Sequence, residues 1–148
     1  MDITLRPATA GDLPFARSLY LDGMRDVTRR VRAWDEARQI ASFDAGFVPE
    51  EVGIVVLNGQ DIGWMQIAED EAVLFLKQFF ITTRFRRRGI GTGLLQALTE
   101  RAAHAGKAVT LGVVKGNPAR SLYERHGFQA TREDHYKIYM ERKPRERS

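Results

Sequence analysis

Apolar residues recur along this chain with two periods, and the switches between them outline its elements. Near the N-terminus Ile3 and Leu5 alternate with Thr4 and Arg6, which predicts a strand over 3–6. Thr9 and Asp12 stand three apart, the spacing of a capping pair at a helix start. Leu13, Ala16, Leu19, Tyr20 and Met24 then recur at helical spacing. A second helix is expected over 33–45, with Ala37, Ile40 and Ala41 on one face and Gly46 and Pro49 marking its end. Residues 52–57 read as a strand, Asn58-Gly59 as a tight turn and 62–67 as the returning strand. Glu69-Asp70-Glu71 forms an acidic turn. Residues 73–81 are nearly continuously apolar, as expected of a strand covered on both faces.

The second half alternates strand and helix. An amphipathic helix over 94–103 stops near Gly106, and 109–114 reads as a buried strand. A short helix follows over 118–126, with Pro118 near its first turn and Gly127 beyond its end. Residues 136–141 add a final strand. The order is βαα-βββ-αβ-αβ. An antiparallel meander passes into a strand–helix–strand crossover, which makes the latter strands parallel. With no internal repeat or linker, the 148 residues suit one domain over 1–142, and 143–148 form a basic, frayed tail.

Composition narrows the function classes. No apolar run approaches 18 residues, so no membrane span is expected, and the N-terminus lacks the long apolar stretch of a signal peptide. Cysteine is absent, which excludes disulfides, thiolate metal sites and a cysteine nucleophile; a cytoplasmic location is the simplest expectation. His104, His126 and His135 form no ligand motif, so no metal is expected. The net charge of +4 comes largely from 84–88 and the tail. Apart from Phe85 that basic run lacks interleaved aromatics, and no nucleic-acid partner is expected.

Arg86-Arg87-Arg88-Gly89-Ile90-Gly91-Thr92-Gly93 lies between the long apolar strand and the amphipathic helix. A glycine turn there aims backbone N–H groups outward where the helix dipole also favours negative charge, so a phosphate-bearing ligand is its natural guest. A nucleotide-hydrolysing P-loop would need Lys followed by Ser or Thr after its last glycine, but Leu94-Leu95 follow Gly93. A dinucleotide fingerprint would need a third glycine where Leu94 stands. A plain strand-to-helix connection is the structural alternative. A second segment, Asn117-Pro118-Ala119-Arg120-Ser121-Leu122-Tyr123-Glu124-Arg125-His126-Gly127-Phe128, starts just past the strand over 109–114. Asn117 is suited either to hydrogen-bonding an amide-rich ligand or to capping a helix, and Tyr123 either to donating a proton or to packing.

Together the two segments resemble the Gcn5-related N-acetyltransferase (GNAT) superfamily. Residues 86–91 are similar to its Q/R-x-x-G-x-G/A acyl-CoA motif, and 117–128 to its second motif with Asn, Leu-Tyr and Gly-Phe. The resemblance spans nearly the whole chain. It implies an α/β (α+β) fold: a mixed, mostly antiparallel central sheet flanked by helices, with a splayed parallel strand pair forming an acyl-CoA cleft. It implies acetyl-CoA as co-substrate and direct acetyl transfer to a primary amine of a small molecule, peptide or protein. The backbone of Phe79 and Ile81 would then hold the pantetheine and thioester region. Residues Arg86, Arg87, Arg88, Gly89, Ile90, Gly91, Thr92 and Gly93 would hold the pyrophosphate, and Asn117 the pantetheine. Tyr123 would protonate the departing thiolate. Some relatives carry a glutamate on the central strand as base; here that stretch reads Phe75-Leu76-Lys77-Gln78. A water oriented by Gln78, or Asp35, Glu36 or Glu69, would have to serve instead. Trp34, Phe47, Trp64, Gln66 and Gln78 are candidates for the acceptor pocket. A homodimer is compatible with such a fold. The alternative function is a non-catalytic acyl-CoA-binding or sensor domain.

Overall fold

A computed structural model describes residues 2–144. Met1 and the last four residues of the basic tail expected over 143–148 lie outside the described residues. Seven strands form one sheet in the order β1-β2-β3-β4-β5-β7-β6. They are β1 (Ile3–Pro7), β2 (Val52–Leu57), β3 (Gln60–Glu69), β4 (Val73–Ile81), β5 (Ala108–Val114), β6 (Gln129–Glu133) and β7 (Lys137–Arg142). The helices are α1 (Leu13–Arg29), α2 (Glu36–Gly46), α3 (Ile90–Ala105) and α4 (Ala119–Arg125). β4 and β5 are parallel, from Val73↔Ala108 to Leu76↔Leu111, and β1–β2, β2–β3, β5–β7 and β6–β7 are antiparallel.

Local chemistry explains most boundaries. Thr9 N–H donates to the Asp12 carboxylate (2.8 Å), the back-bond of a capping box, in a short 3₁₀ turn leading into α1. Asn58 (φ 50°) and Gly59 (φ 81°) are both left-handed, as a two-residue hairpin between β2 and β3 requires. α2 starts later than the expected 33–45 because the Asp35 side chain accepts the Arg38 N–H (3.1 Å) and caps the helix there. α3 starts at Ile90, four residues before the amphipathic pattern over 94–103, so Gly91 and Gly93 lie inside its first turn. β6 was not expected from the sequence. All five of its residues are exposed, so it lacks the apolar alternation that marks a strand and rests on its pairing with β7.

The chain falls into two compact units: the chain up to Gln66 with Gln78–Phe85, and Ile67–Lys77 with the chain from Arg86 on. The first has a core rich in aromatic rings. Ala16 and Leu19 of α1, Phe43 of α2, Phe47, Ile54 of β2 and Trp64 of β3 are buried there, with Tyr20 and Phe80 packed against them. Trp64 is fully buried and meets the rings of Phe43, Phe47 and Phe80 at 5.6–6.2 Å, distances typical of favourable aromatic pairs. Within the second unit the core is mostly aliphatic, with Phe128 the buried ring: Leu74 and Leu76 of β4, Leu95 and Leu98 of α3, Val109 and Leu111 of β5, and Ile138 and Met140 of β7.

Two polar clusters tie down turns of the second unit. Lys107 Nζ donates to Glu69 (2.6 Å) and to the Asp70 carbonyl (2.6 Å), and Arg101 also pairs with Glu69. Across β6 and β7, the Arg132 guanidinium lies 3.8 Å from the centre of the Tyr139 ring, whose hydroxyl donates to Asp134 (2.9 Å). The Lys137 and Tyr136 N–H groups also donate to Asp134 and, with that hydroxyl, hold its carboxyl down at about 2.

Candidate functional site

The turn before α3 has the backbone of an anion cradle. Arg86, Arg87, Arg88 and Gly89 are all exposed, while Ile90 is buried and anchors the helix start. Arg87 (φ 62°) and Gly89 (φ 78°) are left-handed. Successive N–H groups in a turn that alternates right- and left-handed residues form an anion-binding concavity. The first turn of any α-helix adds N–H groups without intrahelical acceptors. Gly93 N–H, by contrast, donates to the Gly89 carbonyl (3.0 Å), so the helix-start N–H groups without an intrahelical acceptor end at Thr92. A Cβ placed on Gly89 or Gly93 would meet no protein atom within 4 Å. Gly89 is explained by its φ. Gly93 is helical, costs about 0.5–1 kcal/mol relative to alanine, and is required by nothing inside the protein.

The second segment folds as a turn and one short helix. Asn117 Oδ1 accepts the Ala119 N–H (2.9 Å), which makes this side chain a cap for α4. Its amide nitrogen is the end suited to a ligand carbonyl. Tyr123 is half-buried and packs edge-on against Phe128, with ring centres 5.8 Å apart. Burial pushes its phenol up to about 12, so it is protonated throughout the neutral range. It is a weaker acid than a free thiol, whose ordinary pKa is about 8.5.

In the first unit, Gln78, Phe79 and Ile81 are half-buried on the last part of β4. Just beyond, Thr82 N–H donates to the Ile62 carbonyl of β3 (2.7 Å). The acceptor-pocket candidates separate into two groups. Phe47 and Trp64 belong to the aromatic core, and buried Gln66 donates to the Gly46 carbonyl (3.0 Å) and to Glu51 (2.9 Å). Trp34 and Gln78 are half-buried, and the Arg25 guanidinium lies 6.0 Å from the Trp34 ring centre. The candidate bases are engaged elsewhere. Glu36 pairs with Arg25 (2.7 Å), chiefly through a hydrogen bond that lowers its carboxyl pKa. Glu69 is lowered first by its bond to Lys107 and then by the nearby Arg101 charge. Asp35 caps α2. Among the described residues no group of three or more His, Asp or Glu side chains gathers as a metal site, and no helix is long and apolar enough to cross a membrane.

A seven-stranded mixed sheet, one parallel pair and a glycine turn opening the helix between its strands define the class of GNAT-fold acetyltransferases. Solved structures of that class share the fold. The PaiA N-acetyltransferase of Thermoplasma acidophilum, in complex with coenzyme A, is similar with a TM-score of 0.77 at 16% identity, over 97% of this chain and 99% of that one. A GNAT family acetyltransferase from Elizabethkingia anophelis with acetyl-CoA bound gives 0.67 at 19% identity, over 95% and 97%. The N-acetylglutamate synthase of Neisseria gonorrhoeae, complexed with coenzyme A and N-acetyl-glutamate, gives 0.68 at 15% identity, over 99% of this chain and 36% of that longer one. No curated protein matches the chain in sequence. The acetyltransferase (GNAT) domain family matches residues 49–130, more than half of the chain. The chain belongs to that family.

Proposed function

We propose that this protein is an acetyl-CoA-dependent N-acetyltransferase that moves the acetyl group directly to a primary amine of a small molecule, peptide or protein, with 1–142 as its one catalytic domain. The observation that carries the reading is the turn at 86–93: two left-handed residues, the first-turn N–H groups of α3, and a helical Gly93 whose Cβ would meet open space. Coenzyme A bound to the Thermoplasma acidophilum N-acetyltransferase and acetyl-CoA bound to the Elizabethkingia anophelis acetyltransferase, both of matching fold, support it. Backbone N–H groups of 87–92 take the pyrophosphate, and the guanidinium groups of Arg86, Arg87 and Arg88 add charge. Asn117 and the backbone of Phe79 and Ile81 take the pantetheine arm.

In the reaction the amine nitrogen attacks the acetyl carbonyl carbon, and the carbon–sulfur bond breaks. A β4 N–H, from Ile81 or Phe79, is assigned to the carbonyl oxygen, where negative charge develops. Tyr123 gives a proton to the departing sulfur. With Asp35, Glu36 and Glu69 engaged in capping and ion pairs, Gln78 is assigned to orient the water that takes the amine proton. Trp34 is assigned to the amine acceptor, whose positive charge suits an indole face.

One observation favours a second reading, a non-catalytic acyl-CoA-binding domain: the stretch Phe75-Leu76-Lys77-Gln78 holds no carboxylate. Thermal unfolding with excess acetyl-CoA, and with adenosine diphosphate as control, tests the site. A ligand at 100 times its Kd stabilises by about 2.7 kcal/mol. No shift with acetyl-CoA would overturn the assignment. A shift without turnover across an amine panel would favour the binding domain.

A further inference from the structure

The aromatic core of the first unit closes on itself. Tyr20 of α1, Phe43 of α2, Trp64 of β3 and Phe80 of β4 form a circuit in which each ring meets the next, with centres 4.9, 5.7, 5.6 and 5.8 Å apart in turn. Phe43 and Trp64 are buried, whereas Tyr20 and Phe80 are half-buried and still meet solvent. Packing alone would be served by phenylalanine at position 20. The chain instead sets a phenol there and an amide beside it. The Tyr20 hydroxyl donates to Oε1 of Gln39 (2.9 Å), a side chain only 8% exposed. Burying an amide costs free energy unless it is hydrogen-bonded, so each member of this pair holds the other in place.

That bond fixes the polarity of the phenol. A hydroxyl has one proton to give and lone pairs that accept. With its proton committed to Gln39, the Tyr20 oxygen is left as an acceptor, and an N–H is its natural guest. Burial raises the pKa of this phenol, and the positive charge of Arg32 opposes the rise. The same charge disfavours an ammonium beside Tyr20 and favours the neutral amine that attack requires. Phe80 joins this corner to the transfer site, because it stands between Phe79 and Ile81, the stretch assigned above to the pantetheine arm, while its ring meets that of Tyr20. We infer that Tyr20 binds the acceptor: its oxygen accepts an N–H from a primary amine whose apolar carbon chain lies against Phe80, and Gln39 is the positioning residue that turns the phenol proton away. The protons balance. As a primary amine attacks and becomes positively charged, its nitrogen carries two protons. One leaves to water and the other stays on Tyr20, as the N–H of the amide product. This rests on the acyl-CoA reading above and adds the acceptor class and the group that meets its nitrogen.

The probe is 2-phenylethylamine, with its N-methyl analogue for comparison; during attack the analogue has a single N–H, which cannot serve both the water and Tyr20. Tyr20→Phe keeps the ring and removes the oxygen. It should lower kcat/KM for 2-phenylethylamine about tenfold, the worth of one hydrogen bond, while the value for the N-methyl analogue and the Kd for acetyl-CoA stay within about twofold. Gln39→Leu frees the phenol proton and should lower kcat/KM for 2-phenylethylamine with the same Kd for acetyl-CoA. An equal fall for the two amines, or no fall for either, would overturn the inference. Where Tyr20→Phe does not fold, the wild type carries the test: 2-phenylethanol, which has an O–H to donate, should inhibit at about tenfold lower concentration than its methyl ether, which has none. Equal inhibition would overturn the inference, as would wild-type protein that binds acetyl-CoA yet leaves 2-phenylethylamine unacetylated. Wild-type protein that does not bind acetyl-CoA would overturn the acyl-CoA reading itself, and this inference with it.

Discussion

Gly63 and Gly93 both stand inside regular elements, where glycine is intrinsically less favourable than alanine. Their surroundings are opposite. Gly63 has main-chain atoms where its Cβ would be, whereas Gly93 has open space. A glycine crowded by the protein is explained by the protein. One that faces open space, in a helical conformation alanine would adopt more readily, calls for an explanation from outside the chain. The two positions differ in what stands where a side chain would be, and alanine at each should change stability in opposite directions.

The largest expected effect lies on the ligand side. Gly91→Asp puts a side chain and a negative charge into the turn, and acetyl-CoA binding measured by calorimetry should be lost; unchanged affinity would make the turn structural. Next comes Tyr123→Phe, which should lower kcat on the order of 100-fold at saturating substrate. Because burial raises the Tyr123 phenol to about 12, the wild-type kcat should not fall on the alkaline side through about pH 10. A drop with a midpoint near 9 would assign the proton to another group. Gly63→Ala should destabilise the fold by about 1–3 kcal/mol, the usual cost of overpacking, read from urea unfolding. An equal or higher midpoint would mean that β4 yields easily there. The smallest effect sharpens the contrast. Gly93→Ala should stabilise by about 0.5–1 kcal/mol yet raise the KM for acetyl-CoA. A gain in stability with an unchanged KM would remove the ligand explanation for Gly93.

Elements with an apolar period were legible from the sequence. Residues 52–57 and 73–81 are strands with those bounds because nearly every position there is apolar, and the turn at Asn58-Gly59 is set by its residue types. β6 was not legible, since Gln129-Ala130-Thr131-Arg132-Glu133 presents no buried face to leave a pattern. The early start of α3 was hidden because its first turn is built of glycines, whose propensity argues against helix. Around the candidate site, the two motifs were readable as strings. The engagement of Glu36 with Arg25, and of Glu69 with Lys107 and Arg101, was not, because these partners are 11 to 38 residues apart. Gly63 carried a signal of its own, a glycine inside a strand pattern between Ile62 and Trp64.

The polar β6 that escapes sequence patterning has a consequence for how the molecule behaves in a crowd. As the last strand of the sheet, it presents a row of backbone donors and acceptors to any other chain with an unpaired strand. It is only five residues long, all exposed, and Arg132 and Glu133 put charge along it. A second strand docking there would have to desolvate those charges and accommodate an Arg132 already stacked on Tyr139. Its short length and charged side chains make this edge of the sheet a poor template for fibrous assembly.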